Sequence, residues 1–254
     1  MDLVKMELLK NQGFTNKTYY DKEKNQFIKI KNYDSFNHKT PNIIFNALEF
    51  APKTIYEDHE KIVSEWIEGK TLFVTKISNA QLKEIGKKLI TLHNSKLDFY
   101  KENQLARRFK VYREKISKLG RKIPILDKHY KKLNLFLKNI DNSAPVHNDL
   151  WLFNMIENKK GIFITDWEYA TMGDVHFDLA YFIESSNLNA EQEKIFLDAY
   201  GDDFEQKYLL VHKILVNALI VLWINKHETK PFDDQVYLQR VDNLINEYNQ
   251  KYQI

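Results

Sequence analysis

The sequence predicts an α+β fold in which a small β-rich N-terminal part precedes a larger helical part. Three observations support this. Before about residue 70, short apolar runs such as Gln26-Phe27-Ile28-Lys29-Ile30-Lys31 follow turn-forming stretches, as strands do. From Ser78 onward, apolar residues recur at helical spacing. One strand-loop-strand stretch, residues 144–169, interrupts the helical remainder. The expected division is therefore 1–69 and 70–254.

Taken in order, the turn from Gly13 to Asn16 can present backbone N–H groups to an anion, though its poverty in glycine equally suits an ordinary hairpin turn. Lys29 alternates with Ile28 and Ile30 and so points away from them, with Lys31 as a rival cation on the same face. Residues 59–67, His-Glu-Lys-Ile-Val-Ser-Glu-Trp-Ile, form a second strand candidate that closes at Glu68-Gly69. Ser78 or Asn79 is the expected cap of a helix whose inner face carries Leu82, Ile85, Leu89 and Leu92. Residues 104–118 and 126–140 also have helical spacing. The remainder from about Asp178, the expected cap of the next helix, is mostly helical.

Composition narrows the class. The chain has 254 residues, 43% apolar and 29% charged, enough for a substantial core and too apolar for disorder. Its 38 basic and 35 acidic residues leave a net charge of only +3, which predicts no nucleic-acid or anionic-membrane partner. The absence of cysteine excludes disulfides, thiolate metal sites and a thiol nucleophile. The first residues are charged throughout, unlike a signal peptide, and the longest apolar window, 214–224, is short for a membrane span. A cytoplasmic enzyme is the expectation.

The stretch His147-Asn148-Asp149-Leu150-Trp151-Leu152-Phe153-Asn154 is the most informative, followed twelve residues later by Asp166 after the apolar run Gly161-Ile162-Phe163-Ile164-Thr165. An Asp and an Asn separated by four residues, with a second Asp ending a later strand, is the protein-kinase spacing. Phosphoryl transfer needs a carboxylate beside the incoming hydroxyl and hard oxygen donors for magnesium. Asp149 is the expected base, with Asn154 and Asp166 as metal ligands brought together by a hairpin. Glu168 is close enough to serve a second ion. His147 is expected either to take part or simply to tie down the loop.

Those residues, with Ile164-Thr165-Asp166-Trp167-Glu168-Tyr169-Ala170 and the following Gly173-Asp174, resemble the choline/ethanolamine kinase family within the aminoglycoside phosphotransferase-like superfamily. The pairing of His147-Asn148-Asp149 with Asp166-Trp167-Glu168-Tyr169-Ala170 is most similar to bacterial choline kinases linked to phosphocholine decoration of surface glycans. The resemblance implies a two-lobed, protein-kinase-like fold, with ATP and Mg²⁺ as cofactors. It implies that residues 12–19, with Thr15 and Asn16, cover the phosphates and that Lys29 binds them. It further implies that the backbone around Glu65 and Ile67 receives adenine, and that Asp178 braces the catalytic loop. One departure stands out. The family carries a helix glutamate that pairs with the lysine, whereas this chain has His38, Thr40 and the helix-breaking Pro41 near that place.

A quaternary ammonium is recognised by aromatic faces and a nearby carboxylate. The candidates are Trp151, Tyr169, Tyr181, Trp223 and Glu184, one helical turn from Tyr181. The family's two-tryptophan helix is matched here by Trp223 alone, with Ile220 at the other position. In so aromatic a chain, Trp151 and Trp223 equally suit a core. The expected acceptor is a small cationic alcohol, choline first. Ethanolamine, thiamine and an aminoglycoside are alternatives, as is a nucleotide-binding pseudokinase module.

Overall fold

The structure is a computed structural model that describes residues 6–9, 16–73, 77–102 and 104–252. Its first layer is an antiparallel sheet of β1 (Glu7–Leu8), β2 (Lys17–Asp21), β3 (Gln26–Ile30), β4 (Thr54–Glu57) and β5 (Lys61–Glu65), in the order β1-β2-β3-β5-β4. The turn between β2 and β3 is fixed by Asp21, whose side chain accepts from the N–H groups of Glu23 and Lys24, and by Asn25 in the left-handed region. Register places Lys29 opposite Thr18 on one side and Ile62 on the other, so it sits centrally in the sheet. Lys31 is drawn off to Glu57 at 2.8 Å, which separates it from its rival.

Residues 42–47 form a 3₁₀ segment entered at Pro41. Proline fixes the entry, and no side chain caps the segment. The stretch before it is stitched to the second half of the chain. His38 N donates to Glu168 O (2.6 Å), and Thr40 Oγ1 donates to Ala170 O (2.6 Å).

The helical part begins with α1 (Asn79–His93), whose cap is Ser78. Ser78 and Gln81 exchange side-chain-to-backbone bonds in a capping box. The expected inner face is buried in full, since Leu82, Ile85, Leu89 and Leu92 are all 0% exposed. Then follow α2 (Leu105–Lys118), α3 (Pro124–Lys128) and α4 (Tyr130–Lys138), with a break at His129 inside what the spacing suggested was one helix. Two small sheets interrupt the helices. In one, β7 (Ala144–Val146) pairs with β10 (Thr171–Gly173). In the other, β6 (Lys70–Thr71) joins the hairpin β8 (Met155–Asn158) and β9 (Gly161–Ile164).

Helices α5 (Val175–Ser185), α6 (Ala190–Tyr200), α7 (Gln206–Asn225) and α8 (Gln235–Tyr252) complete the fold. Helix α5 starts earlier than expected. Asp174 caps it by accepting from His176 N, which places Asp178 in the first turn. By length and composition α7 could cross a membrane, but most of its side chains are buried inside the fold, as in a core helix.

Helices α1 and α6 approach closely at Gly86, where an added Cβ would meet Phe196 O at 2.6 Å and Tyr200 N at 3.0 Å. Backbone atoms give way less readily than side-chain ends. Gly86→Ala is therefore expected to destabilise the protein by about 1–3 kcal/mol despite the better helix propensity of alanine, read as a lower midpoint in urea unfolding.

Candidate active site

The loop between β7 and β8 carries the site, and the residues around it fix its shape. Asp178, fully buried, accepts from the backbone N–H groups of His147 (2.7 Å) and Asn148 (2.8 Å). It also lies 3.3 Å from His93 Nε2, at the end of α1. Its bracing role thus comes from the first turn of α5, and the cap itself is Asp174. His147 ties down the loop. Its Nε2–H donates to Thr165 O (3.0 Å), while Nδ1 accepts from Asp149 N (3.3 Å), and burial lowers its pKa. Asn148 takes a left-handed conformation, which asparagine tolerates, and its amide donates to Tyr169 O and Thr171 Oγ1.

These constraints turn Asp149 into a cleft of about 1090 Å³. Tyr181 OH donates to its Oδ1 (2.7 Å). Burial, then the negative charge of Asp166, pushes the Asp149 carboxyl up to about 7, with the Tyr181 hydrogen bond opposing the rise. Asn154 directly precedes β8 and Asp166 lies two residues beyond β9. The hairpin register, with Thr165 N donating to Asn154 O (2.8 Å), brings the two side by side as the spacing implied. Asn154 Nδ2 donates to Asp149 O (3.1 Å), which commits the amide nitrogen and leaves the amide oxygen as donor. Asn154 and Asp166 both line the cleft, so their oxygens form a hard donor set suited to magnesium.

The Glu168 carboxylate is enclosed, with a side chain 2% exposed. It accepts from Asn16 Nδ2 (2.6 Å), pairs with Lys29 Nζ (3.0 Å) and lies 3.3 Å from His38 Nε2. Burial works most strongly, to raise its pKa, but Lys29 and His38 together outweigh burial and hold it at about 2. With three nitrogens around it, Glu168 supplies the lysine's missing partner, and it lines the same cleft as Asn154 and Asp166. Lys29 also pairs directly with Asp166. Burial works to lower the lysine's pKa, yet the two carboxylates raise it above its ordinary value.

The other expected residues divide. Asn16 is at the site, while Thr15 lies outside the described residues. Glu65 and Ile67 line the cleft beside Pro52, Ser64 and Trp66, and the Glu65 carboxylate accepts from Lys53 N (2.9 Å). Trp151, Tyr169, Tyr181 and Trp223 line it too. Glu184 does not. It accepts from Asn217 (2.9 Å), lies 3.4 Å from Arg240 Nη1 and faces a separate cavity of about 210 Å³. Helical spacing placed it near Tyr181, but α5 is buried on almost every side, so adjacency along the helix did not reveal the facing surface. Phe153, Phe232 and Tyr237 join the aromatic wall unforeseen. Trp151 stacks on Phe153 (5.3 Å) and meets Phe232 edge-on (6.4 Å), and Trp223 lies 6.1 Å from Phe232.

Outside the cleft, Asp174, His176 and His212 gather closely enough to suggest a metal site. The hydrogen bonds argue otherwise. His176 Nε2 accepts from Glu205 N (2.9 Å), so Nδ1 carries the proton that it donates to Asp174 Oδ1 (2.6 Å); His176 has no lone pair left for an ion, and the cluster is one ligand short.

Because the Tyr181 hydroxyl stabilises the ionised carboxylate, Tyr181→Phe is expected to move the Asp149 titration above about 7, as followed by ¹³C-carboxyl NMR. A titration that moves down instead would show that Tyr181 does not donate to the carboxylate.

Residues 44–210 match the model of a family described as "Phosphotransferase enzyme family". A "Protein LicA homolog" from Metamycoplasma hominis is 68% identical over 94% of this chain and 96% of its own length. Among solved structures, choline kinase LicA from Streptococcus pneumoniae aligns with TM-score 0.75 at 23% identity, covering 96% of this chain and 93% of that one. LicA in complex with AMP aligns with TM-score 0.76 at 22% identity, covering 96% and 91%. The fold is thus the two-lobed, kinase-like one that the sequence resemblance implied. The chain belongs to the phosphotransferase enzyme family, as a small-molecule phosphotransferase related to the LicA proteins.

Proposed function

We propose that the protein transfers the γ-phosphoryl group of ATP to the hydroxyl of a small cationic alcohol, and that choline is the acceptor. The observation that carries this reading is Asp149. It is a carboxylate with its pKa near 7, held by Tyr181 in a cleft that runs from the Asn154–Asp166 donors to an aromatic wall. A base poised near the working pH removes a hydroxyl proton efficiently. The wall of Trp151, Trp223, Phe232 and Tyr237 suits a quaternary ammonium, whose charge and methyl groups both favour aromatic faces. The solved choline kinase with this fold and the AMP-bound LicA favour the same choice of acceptor and nucleotide.

In this reading residues 1–69 cover the nucleotide and residues 70–254 hold the catalytic loop and the acceptor. Adenine lies against the Glu65–Ile67 backbone, and Lys29, fixed by Glu168, meets the phosphates. Magnesium, when bound, neutralises charge on the phosphate oxygens, and Asn154 and Asp166 are the residues that would hold it. The acceptor oxygen attacks phosphorus in line as the bond to the bridging oxygen breaks. ADP leaves with that electron pair, and Asp149 takes the hydroxyl proton. The near-neutral surface and buried α7 suit a cytoplasmic enzyme that works on diffusing metabolites.

Purified protein with Mg²⁺-ATP is expected to release ADP in the presence of choline, faster than with ethanolamine, thiamine or kanamycin. Asp149→Ala should lower turnover by about 10²–10⁴-fold while sparing nucleotide binding. Turnover only with another acceptor would replace choline. Nucleotide binding without turnover on any acceptor would favour the pseudokinase module.

A further inference from the structure

We propose that Arg108 is a further catalytic residue of this site, the cation that receives the transferred phosphoryl group on the acceptor side. This inference rests on the phosphotransfer reading above. Arg108 lies on α2, whose other inner residues, Leu105, Phe109, Tyr112 and Ile116, are apolar or aromatic core. It is 7% exposed and lines the same cleft as Asp149, Asp166 and Tyr181. Its guanidinium lies over the Tyr169 ring, 4.4 Å from the centroid, and 5.9 Å from that of Tyr112.

What sets Arg108 apart is the lack of an ion-pair partner among the described residues, although the Asp149 carboxylate acts on it from across the cleft. Arginine remains ionised at any working pH, and a buried charge is costly unless it is paired. Among the described residues Arg108 forms no ion pair, and its Nε is buried without a hydrogen-bond partner. Asp34, which accepts from Tyr169 OH (3.0 Å), also accepts from Phe36 N and Asn37 N, so it is already engaged. Lys226 stands nearby with Nζ 4.1 Å from the Tyr112 ring centroid, and it adds positive charge. Arg108 therefore contributes a buried positive charge to the lining of the cleft.

The reaction delivers the missing anion. A neutral hydroxyl becomes a phosphomonoester with a charge of about −1.5 to −2 near pH 7. That charge would otherwise develop beside the acidic Asp149 and Asp166. A guanidinium presents a planar fork of donors that matches phosphoryl oxygens, and here it is preset by stacking on Tyr169. The division of labour follows. With the Tyr169 face taken by Arg108, the ammonium of the acceptor is left to Trp151, Trp223, Phe232 and Tyr237. The two charges of a phosphocholine-like product are then read at separate places.

The test compares wild type, Arg108→Met and Arg108→Lys for steady-state ADP release with choline, and for equilibrium binding of choline and of phosphocholine by calorimetry. Arg108→Met is expected to lower kcat by about 100-fold, with the KM for choline nearly unchanged. It should weaken phosphocholine binding while leaving choline binding intact, and Arg108→Lys should recover part of both losses. A raised KM with kcat intact would overturn the proposal, as would phosphocholine binding that falls only in step with choline binding. If Arg108→Met does not fold, Arg108→Lys decides: wild-type kcat and phosphocholine affinity in that variant would refute a role for the fork. A wild type that turns over no acceptor would instead refute the underlying phosphotransfer reading.

Discussion

Lys29 is the point on which the two halves of the site depend. It sits in the middle of the N-terminal sheet and pairs with two carboxylates, Asp166 and Glu168, that belong to the far end of the β8–β9 hairpin. A buried carboxylate and a half-buried one so close together would repel each other if the ammonium were absent. The ammonium in turn would be costly to bury without them. Each partner makes the other tolerable, and Asn16 and His38 crowd the same Glu168 oxygen from the N-terminal side. The cluster therefore sets both the place of the lysine and the angle at which the sheet meets the catalytic loop.

Around that cluster the loop is held by groups that do no chemistry themselves. Asp178 spends its carboxylate on two backbone N–H groups, and His147 fills the space between the loop and Thr165. Because these bonds fix the backbone on either side of Asp149, its carboxylate is oriented without occupying its own oxygens, save for the one bond from Tyr181. In the proposed reaction, preorganisation of this kind places the base and the metal ligands in register before any ligand arrives. The same loop turns Trp151 and Phe153 into the cleft, so the proposed chemistry and recognition share one short segment.

The parts of the site that were legible in the sequence are those set by local geometry. Asp149, Asn154 and Asp166 are joined by one hairpin, and spacing along a hairpin translates directly into proximity. The α1 face was legible for the same reason, since helical periodicity alone fixes it. The contacts of Glu168 with Asn16 and Lys29 were not legible, because those partners lie more than a hundred residues away and no local rule brings them together. Glu184 was misplaced because a helix buried on nearly all sides gives no pattern from which to read its facing. Phe232 comes from the connection between α7 and α8, where only the tertiary fold decides position. Arg108 did leave a signal: it falls at i+3 from Leu105 and i−4 from Tyr112, so an ionised residue stands on the apolar stripe of α2.

In the proposed reading the C-terminal acid Glu168 anchors the sheet lysine in place of a helix glutamate, and Asn154 and Asp166 are the proposed metal ligands. The most direct measurement is a Mn²⁺ titration followed by electron paramagnetic resonance, with ADP present, on wild type, Glu168→Gln and Asp166→Asn. The account predicts that Glu168→Gln keeps metal affinity close to wild type, whereas Asp166→Asn loses it. Loss of metal binding in Glu168→Gln to the same degree as in Asp166→Asn would contradict it, and would return Glu168 to the metal.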